Sequence, residues 1–312
     1  MTIEAKIIAD SLAPSGVRLT TFVLKYPRFI HAELMTNRAF SRNASSSRAI
    51  PFKRKAKSLL TEMAMPIQFL KNKRGMQGGE PLPLLKQMAA RSVWKTAGYT
   101  ALGYAFLLYK LGVSKQYVNR ITEPIDFITV IVTATHWNNF FALRIHSAAQ
   151  PEIRKLAETM WHELQRSQPQ ALAFGEWHLP FINGKDWFGT SVEWRNWTRV
   201  HKGAYTRMII GKQCGVARKA NMDIWLPLIK QSVAKCARVS YNNHDGSNTT
   251  KEQNEALYDR LVGSIPRHSS AAEHQARANM SQTFHGNFLS WEQYRKMLDN
   301  EFILEFDGTP LG

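Results

Sequence analysis

The stretch Asn37-Arg38-Ala39-Phe40-Ser41-Arg42-Asn43-Ala44-Ser45-Ser46-Ser47-Arg48 holds three arginines, two asparagines and four serines, with Phe40 as its one large apolar side chain. So many polar groups are not core, because each would need a partner once removed from water. They form a set of donors suited to an oxyanion. A guanidinium offers two parallel hydrogen bonds and never loses its charge near neutral pH. The same arginines would serve equally well on a solvated basic face, so the flanking sequence has to decide.

Upstream, Lys6 to Ser11 alternates, Pro14-Ser15-Gly16 signals a turn, and Leu19 to Leu24 is strand-like, which together predict a hairpin ended by Pro27. Phe29, Ile30 and Leu34 then recur at helical spacing up to the polar block. Downstream, the basic, glycine-containing run Lys71 to Glu80 reads as a mobile surface loop. Ile153, Leu156, Ala157, Met160, Trp161 and Leu164 mark an amphipathic packing helix. Pro169 to Tyr205 is rich in Trp, Gly and Pro and lacks periodicity. Val239-Ser240-Tyr241 enters a turn-prone run, Leu257, Leu261 and Val262 resume a helical stripe, and a polar cluster follows from His268 to His274. With no repeat or linker, the expectation is one catalytic domain over 1–312 carrying an insertion at about 169–235.

The chain has 312 residues, 44% hydrophobic and 11% aromatic, enough for a substantial core and too much for a disordered chain. No apolar run approaches the roughly 20 residues of a membrane span, so no membrane partner is expected. The first residues lack the pattern of a secretory signal, and the two cysteines, Cys214 and Cys236, form no paired motif. A cytoplasmic protein is expected, in the host cytoplasm if the gene is carried by a phage. The formal charge of +17 favours an anionic partner without choosing between nucleic acid, acidic membrane and phosphorylated metabolites.

Several chemistries are missing from the sequence. Neither a Walker loop nor a dinucleotide fingerprint occurs, and no Gly-x-Ser-x-Gly elbow marks a hydrolase. His268, Glu273 and His274 have the wrong spacing for a zinc helix, so no metal is expected. What stands out is arginine beside asparagine or aromatic residues, at Asn119-Arg120 and from Asn138 to Arg144.

The polar block resembles the signature of flavin-dependent thymidylate synthases: Arg38, Ser41, Asn43, Ser46 and Arg48 fall on its fixed intervals. The version with Thr36 before it is similar to bacteriophage-encoded members. Asn139-Phe140-Phe141-Ala142-Leu143-Arg144 resembles the later family helix that supplies an Asn to the flavin and an Arg to the nucleotide. Ala237-Arg238-Val239-Ser240-Tyr241 and the His268 to His274 cluster resemble pieces that usually precede the signature. Here they come last, so the motif order reads as a circular permutation, which surface termini permit.

The resemblance implies an α+β fold, with an antiparallel or mixed sheet packed with long helices and a mainly helical or irregular embellishment. It implies conversion of deoxyuridylate (dUMP) to thymidylate, with methylenetetrahydrofolate as carbon donor and NADPH-reduced FAD as hydride source, in a methyltransferase that needs no thiolate. The implied substrate contacts are Glu33, Ser46, Arg48, Arg120 and Arg144. Flavin contacts are Asn37, Arg38, Ala39, Asn139, His268, Ser270 and Glu273. Arg144, His268 and Ser46 are the implied catalytic set, Ser46 as a nucleotide contact rather than a nucleophile, since no base adjoins it. A homotetramer with sites shared between subunits is implied as well. Thr36, Asn37 and Ala44 stand where the family usually has Arg, His and Glu; an asparagine cannot act as an acid near neutral pH.

Two alternatives stay open at this point. One is a C5 methylase or hydroxymethylase of another pyrimidine deoxynucleotide such as dCMP. The other is a catalytically inactive homologue that binds nucleic acid; with motifs this specific, nucleic acid is not the expected partner.

Overall fold

The hairpin forms where alternation and turn residues predict it, in a computed structural model that describes residues 3–75, 77–182, 215–241, 249–299 and 301–302. Strands β1 (Glu4–Leu12) and β2 (Arg18–Pro27) pair antiparallel, and Gly16 takes φ +83° in the turn between them. The polar block supplies β3 (Ser41–Ala44), which lies at the sheet edge against β4 (Phe127–Ala134). An edge position suits its composition, because one side of the strand keeps access to water. β5 (Gln170–Ala171) adds a short parallel pairing to β1, giving the order β3-β4-β2-β1-β5.

Strand alternation assigns the two faces of this sheet. Phe22, Leu24, Val130 and Val132 point to one face, where they bury against α1 (His31–Met35), α5 (Asn138–Arg144) and α6 (Pro151–Arg166). The α6 stripe predicted from the sequence, Ile153, Leu156, Ala157, Met160 and Leu164, forms the helical side of this core. Trp161 is the exception and stays 38% exposed. Val23 and Ile131 point to the other face and meet α7 (Gly215–Tyr241) and α8 (Lys251–Leu261) through Ile229, Val233, Leu257 and Leu261. Thr250 caps α8 with a capping box completed by Gln253.

A second, smaller sheet takes the order β10-β7-β6, formed by β6 (Trp177–His178), β7 (Ala276–Ala278) and β10 (Trp291–Gln293). Beside it lies the hairpin of β8 (Phe284–His285) and β9 (Phe288–Leu289). A third group comprises α2 (Phe52–Thr61), α3 (Leu84–Lys110), α4 (Lys115–Val118) and the 3-10 run Asn119–Ile125, packed around Phe52, Leu59, Leu102 and Ile125. The fold is α+β, with its sheet between helical layers.

The insertion expected at about 169–235 is not peripheral throughout. Trp177 and Leu179, together with Trp225, Leu228 and Ile229 of α7, are core residues of the second face. The weak periodicity of 169–205 hid this, because two-residue strands leave no alternating pattern to read. Residues 183–214 lie outside the described residues. The Lys71 to Glu80 loop is exposed as read, but hydrogen bonds close its base: Lys71 N–H donates to the Glu80 carbonyl at 2.8 Å and Gly79 N–H to the Lys71 carbonyl at 2.9 Å. No helix among the described residues is long and apolar enough to cross a membrane.

Candidate functional site

The end of α1 and the end of α5 meet through Glu33 and Arg144. Arg144 approaches the Glu33 carboxylate at 4.0 Å and donates weakly to the Glu33 carbonyl and to Thr36 Oγ1, each at 3.4 Å. These long contacts leave most of the guanidinium's donor capacity unspent. Burial raises the pKa of the Glu33 carboxyl, Arg144 pulls it back, and the nearby Glu152 carboxylate raises it further. Thr36 donates to the Glu33 carbonyl at 2.7 Å and so closes the end of α1.

Ser46 and Arg48 lie at the other end of β3. Ser46 is the N-cap of the 3-10 turn Ser47–Ala49 and is half-buried, while Arg48 is exposed. The Asn119 amide donates to the carbonyls of Ser47 at 2.8 Å and Ile50 at 2.9 Å, tying this turn to the segment that carries Arg120. Arg120 is exposed, 4.0 Å from Glu123. The Glu123 carboxylate also takes the Ser47 hydroxyl at 2.5 Å and pairs with Arg28 at 3.0 Å. Ser46, Arg48 and Arg120 are thus carried on connected backbone, with cationic side chains facing water.

Asn37, Arg38 and Ala39 form the turn between α1 and β3, with Arg38 and Ala39 exposed and Asn37 half-buried. The Phe40 ring locks this turn against α5, its centroid 4.7 Å from that of Trp137 and 5.3 Å from that of Phe140. Asn139, the residue before Phe140, is exposed on α5. Arg42 donates to the carbonyl of Met35, a helix-end acceptor of α1, and to the carbonyl of Asn37 in the turn.

The distant C-terminal cluster reaches the same edge. The 3-10 turn Ser269–Glu273 lies against β3, and the Gln293 amide donates to both Ser41 Oγ, at 2.9 Å, and the Glu273 carbonyl, at 3.0 Å. Asn43 donates to the Cys236 carbonyl at 2.9 Å, joining β3 to α7. The Glu273 carboxylate pairs with Arg295; burial raises its pKa and Arg295 opposes that rise. His268 is the N-cap residue of the turn, is exposed, and makes no side-chain cap. Ser270 is exposed as well. Among the described residues no hydrogen bond or ion pair joins Asn139, His268 or Ser270 to the other expected site residues.

Sequence reasoning missed several groups. Gln293 and Arg295 sit in no motif, and nothing in the sequence marked them. His31, beside Arg28 and Arg42, is held neutral: burial first, then those two guanidinium groups, lower its pKa to about 4, and the Tyr26 hydroxyl lies 2.8 Å from its Nδ1. A buried polar chain also crosses the second face of the sheet. Ser11, His178, Thr21, Thr133 and His274 follow one another at 2.9, 2.8, 2.8 and 2.8 Å. His178 is 1% exposed and its ring is hydrogen-bonded at both nitrogens. Burial lowers the pKa of both His178 and His274 to about 3.

This architecture defines an α+β protein whose sheet edge and adjoining helix ends carry arginine, serine, asparagine and glutamate side chains. Residues 17–170 match the family model described as thymidylate synthase complementing protein. The matched residues include β2, β3, α5 and the whole of α6. Among curated proteins, none matches the chain. Among solved structures, the UMP/dUMP methylase PolB from Streptomyces cacaoi, bound with 5-Br UMP, is similar at 17% identity and TM-score 0.43, covering 53% of this chain and 89% of that one. Thymidylate synthase X from Helicobacter pylori, with FAD and dUMP, is similar at 14% identity and TM-score 0.34, covering 47% and 67%.

Proposed function

We propose that the protein is a flavin-dependent pyrimidine nucleotide C5 methyltransferase that converts dUMP to thymidylate, with methylenetetrahydrofolate as carbon donor and NADPH as reductant. One observation carries the reading: the family-matched edge strand and the His268 to His274 cluster, far apart in sequence, are bound to each other through Gln293. This contact supports treating the two stretches as one site, in permuted order, within a single catalytic unit.

The donor set fits a flavin. Arg38, Asn139 and Ser270 are exposed polar groups around the start of β3, and no internal hydrogen bond among the described residues occupies their side chains. With Asn37, Ala39, His268 and Glu273 they would hold a flat ring bearing carbonyl and ring-nitrogen acceptors and a pyrophosphate. When bound, FAD supplies the hydride. Ser46, Arg48 and Arg120 would take the nucleotide phosphate through charge-assisted hydrogen bonds. Glu33 and Arg144 would orient the pyrimidine, and Arg144 would stabilise negative charge developing on the ring as C5 attacks the one-carbon unit. Asn37 would position its ligand without exchanging a proton. Leu84, Leu85, Tyr104 and Leu107 are exposed at the two ends of α3, and under this reading further subunits of a homotetramer would cover them.

The test is the absorbance spectrum of the purified protein. A flavin band that bleaches on reduction by NADPH supports the reading, and mass spectrometry after incubation with dUMP or dCMP identifies substrate and product. A colourless protein that binds neither flavin nor dUMP would refute it.

A further inference from the structure

A cavity of about 620 Å³ lies between residues 66–81 and the approach to α6, lined by Gln68, Phe69, Gln77, Ser147 and Gln150 among others. Its size is in the range of small-molecule sites. It starts three residues beyond Arg144, where α5 gives way to α6, and its floor includes Glu152, whose charge reaches Glu33. It therefore adjoins the Glu33–Arg144 pair without containing either residue.

The walls are preformed. Gln87 of α3 accepts from Phe69 N–H at 2.9 Å and donates to its carbonyl at 2.8 Å, and Arg91 donates to the Ile67 carbonyl at 2.5 Å. Ile67 N–H in turn donates to the buried Glu152 carboxylate at 2.7 Å, which fastens the loop side of the cavity to the α6 side. The Phe69 ring packs edge-on against Trp94 at 6.1 Å. Gly78 is required at the rim, because a Cβ there would collide with the Leu70 side chain.

The lining chemistry selects a ligand class. Gln68, Gln77 and Ser147 hydrogen-bond to no other described residue, so their amide and hydroxyl groups stay open to a ligand that both donates and accepts. Phe69 and the prolines 66, 81 and 151 give an apolar surface for a flat ring. Glu152 leaves no room for an anion at the floor, whereas Lys73 and Arg74 are exposed on the same loop and Arg154 sits at the lining. An uncharged ring would go in first, with any anionic tail toward the basic mouth.

We propose that this cavity binds the amide-bearing nitrogen heterocycle of a co-substrate whose tail is anionic. This rests on the function proposed above. Two co-substrates share that chemistry, a reduced nicotinamide dinucleotide and a pterin-type one-carbon carrier.

The test measures equilibrium binding of NADPH, of tetrahydrofolate and of dUMP to the full chain and to two variants that fill the cavity from opposite walls, Gln68→Trp and Ser147→Tyr. At least tenfold weaker binding of one co-substrate in a variant that keeps its dUMP affinity supports the proposal and names the occupant. Unchanged binding of both co-substrates in both variants overturns it, as does a wild-type chain that binds dUMP but neither co-substrate. Failure of the wild type to bind dUMP at all would instead overturn the proposed function. A variant that loses dUMP affinity is misfolded, and its counterpart on the other wall then decides.

Discussion

Ser41 and Gln293, 252 positions apart, share a hydrogen bond of 2.9 Å, and the same amide nitrogen reaches the Glu273 carbonyl at 3.0 Å. The Gln293 side chain is held there by a close backbone approach. Gly286, at φ +63° between β8 and β9, has no Cβ to collide with the Gln293 side-chain oxygen.

Gln293→Ala leaves the hydroxyl of Ser41, which is fully buried, with one hydrogen bond among the described residues, from Asn287 at 3.4 Å. The expected loss is about 1–3 kcal/mol, read as a lower urea midpoint at unchanged slope. Gly286→Ala should destabilise by a similar mechanism, by pushing the amide away. Under the proposed function both variants also weaken flavin binding, by fluorescence titration.

Arg144→Ala should lower affinity for dUMP by about 10- to 100-fold, the worth of a charge-assisted contact, while the flavin band persists. Arg144→Lys should recover little, because an ammonium does not reproduce the planar fork. Calorimetric titration with dUMP reads both.

Stability should fall in mild acid. His178 and His274 are neutral in the fold, with pKa values lowered to about 3 from 6.5. The unfolded chain therefore binds more protons than the folded one between those values. The full contribution is present above pH 6.5 and drains away as pH falls toward 3, with a limiting slope of about 1.4 kcal/mol per pH unit for each ring. Urea unfolding at pH 7.5 and 5.5 measures this, and His178→Asn should flatten the dependence.

Lys55 is 2% exposed and pairs with Asp126 beneath the segment that carries Arg120. Lys55→Met should cost about 3–5 kcal/mol by leaving the Asp126 carboxylate buried without its cation. Adding Asp126→Asn should restore part of the loss. Thermal midpoints of the single and double variants separate the pair from the packing.

The hairpin, the α6 stripe and the clustering of arginine, asparagine and serine in the Asn37 to Arg48 block were legible because each is local. Alternation, helical spacing and clustered guanidinium groups show in a few consecutive residues. Gln293, Arg295 and His178 were not legible, since their roles depend on partners on distant elements. The short strands β6 to β10 leave too few residues for a period to appear.

Sequence by itself determined where the hairpin and the α6 stripe lie, and the block before β4 resembles a family signature. Tertiary structure alone decided that β3 becomes an edge strand, that the Ser269–Glu273 turn comes to rest on it, and that Gln293 joins them. The physical reason is that a buried amide must find its acceptors wherever the packed chain supplies them, and their distance along the sequence carries no signal.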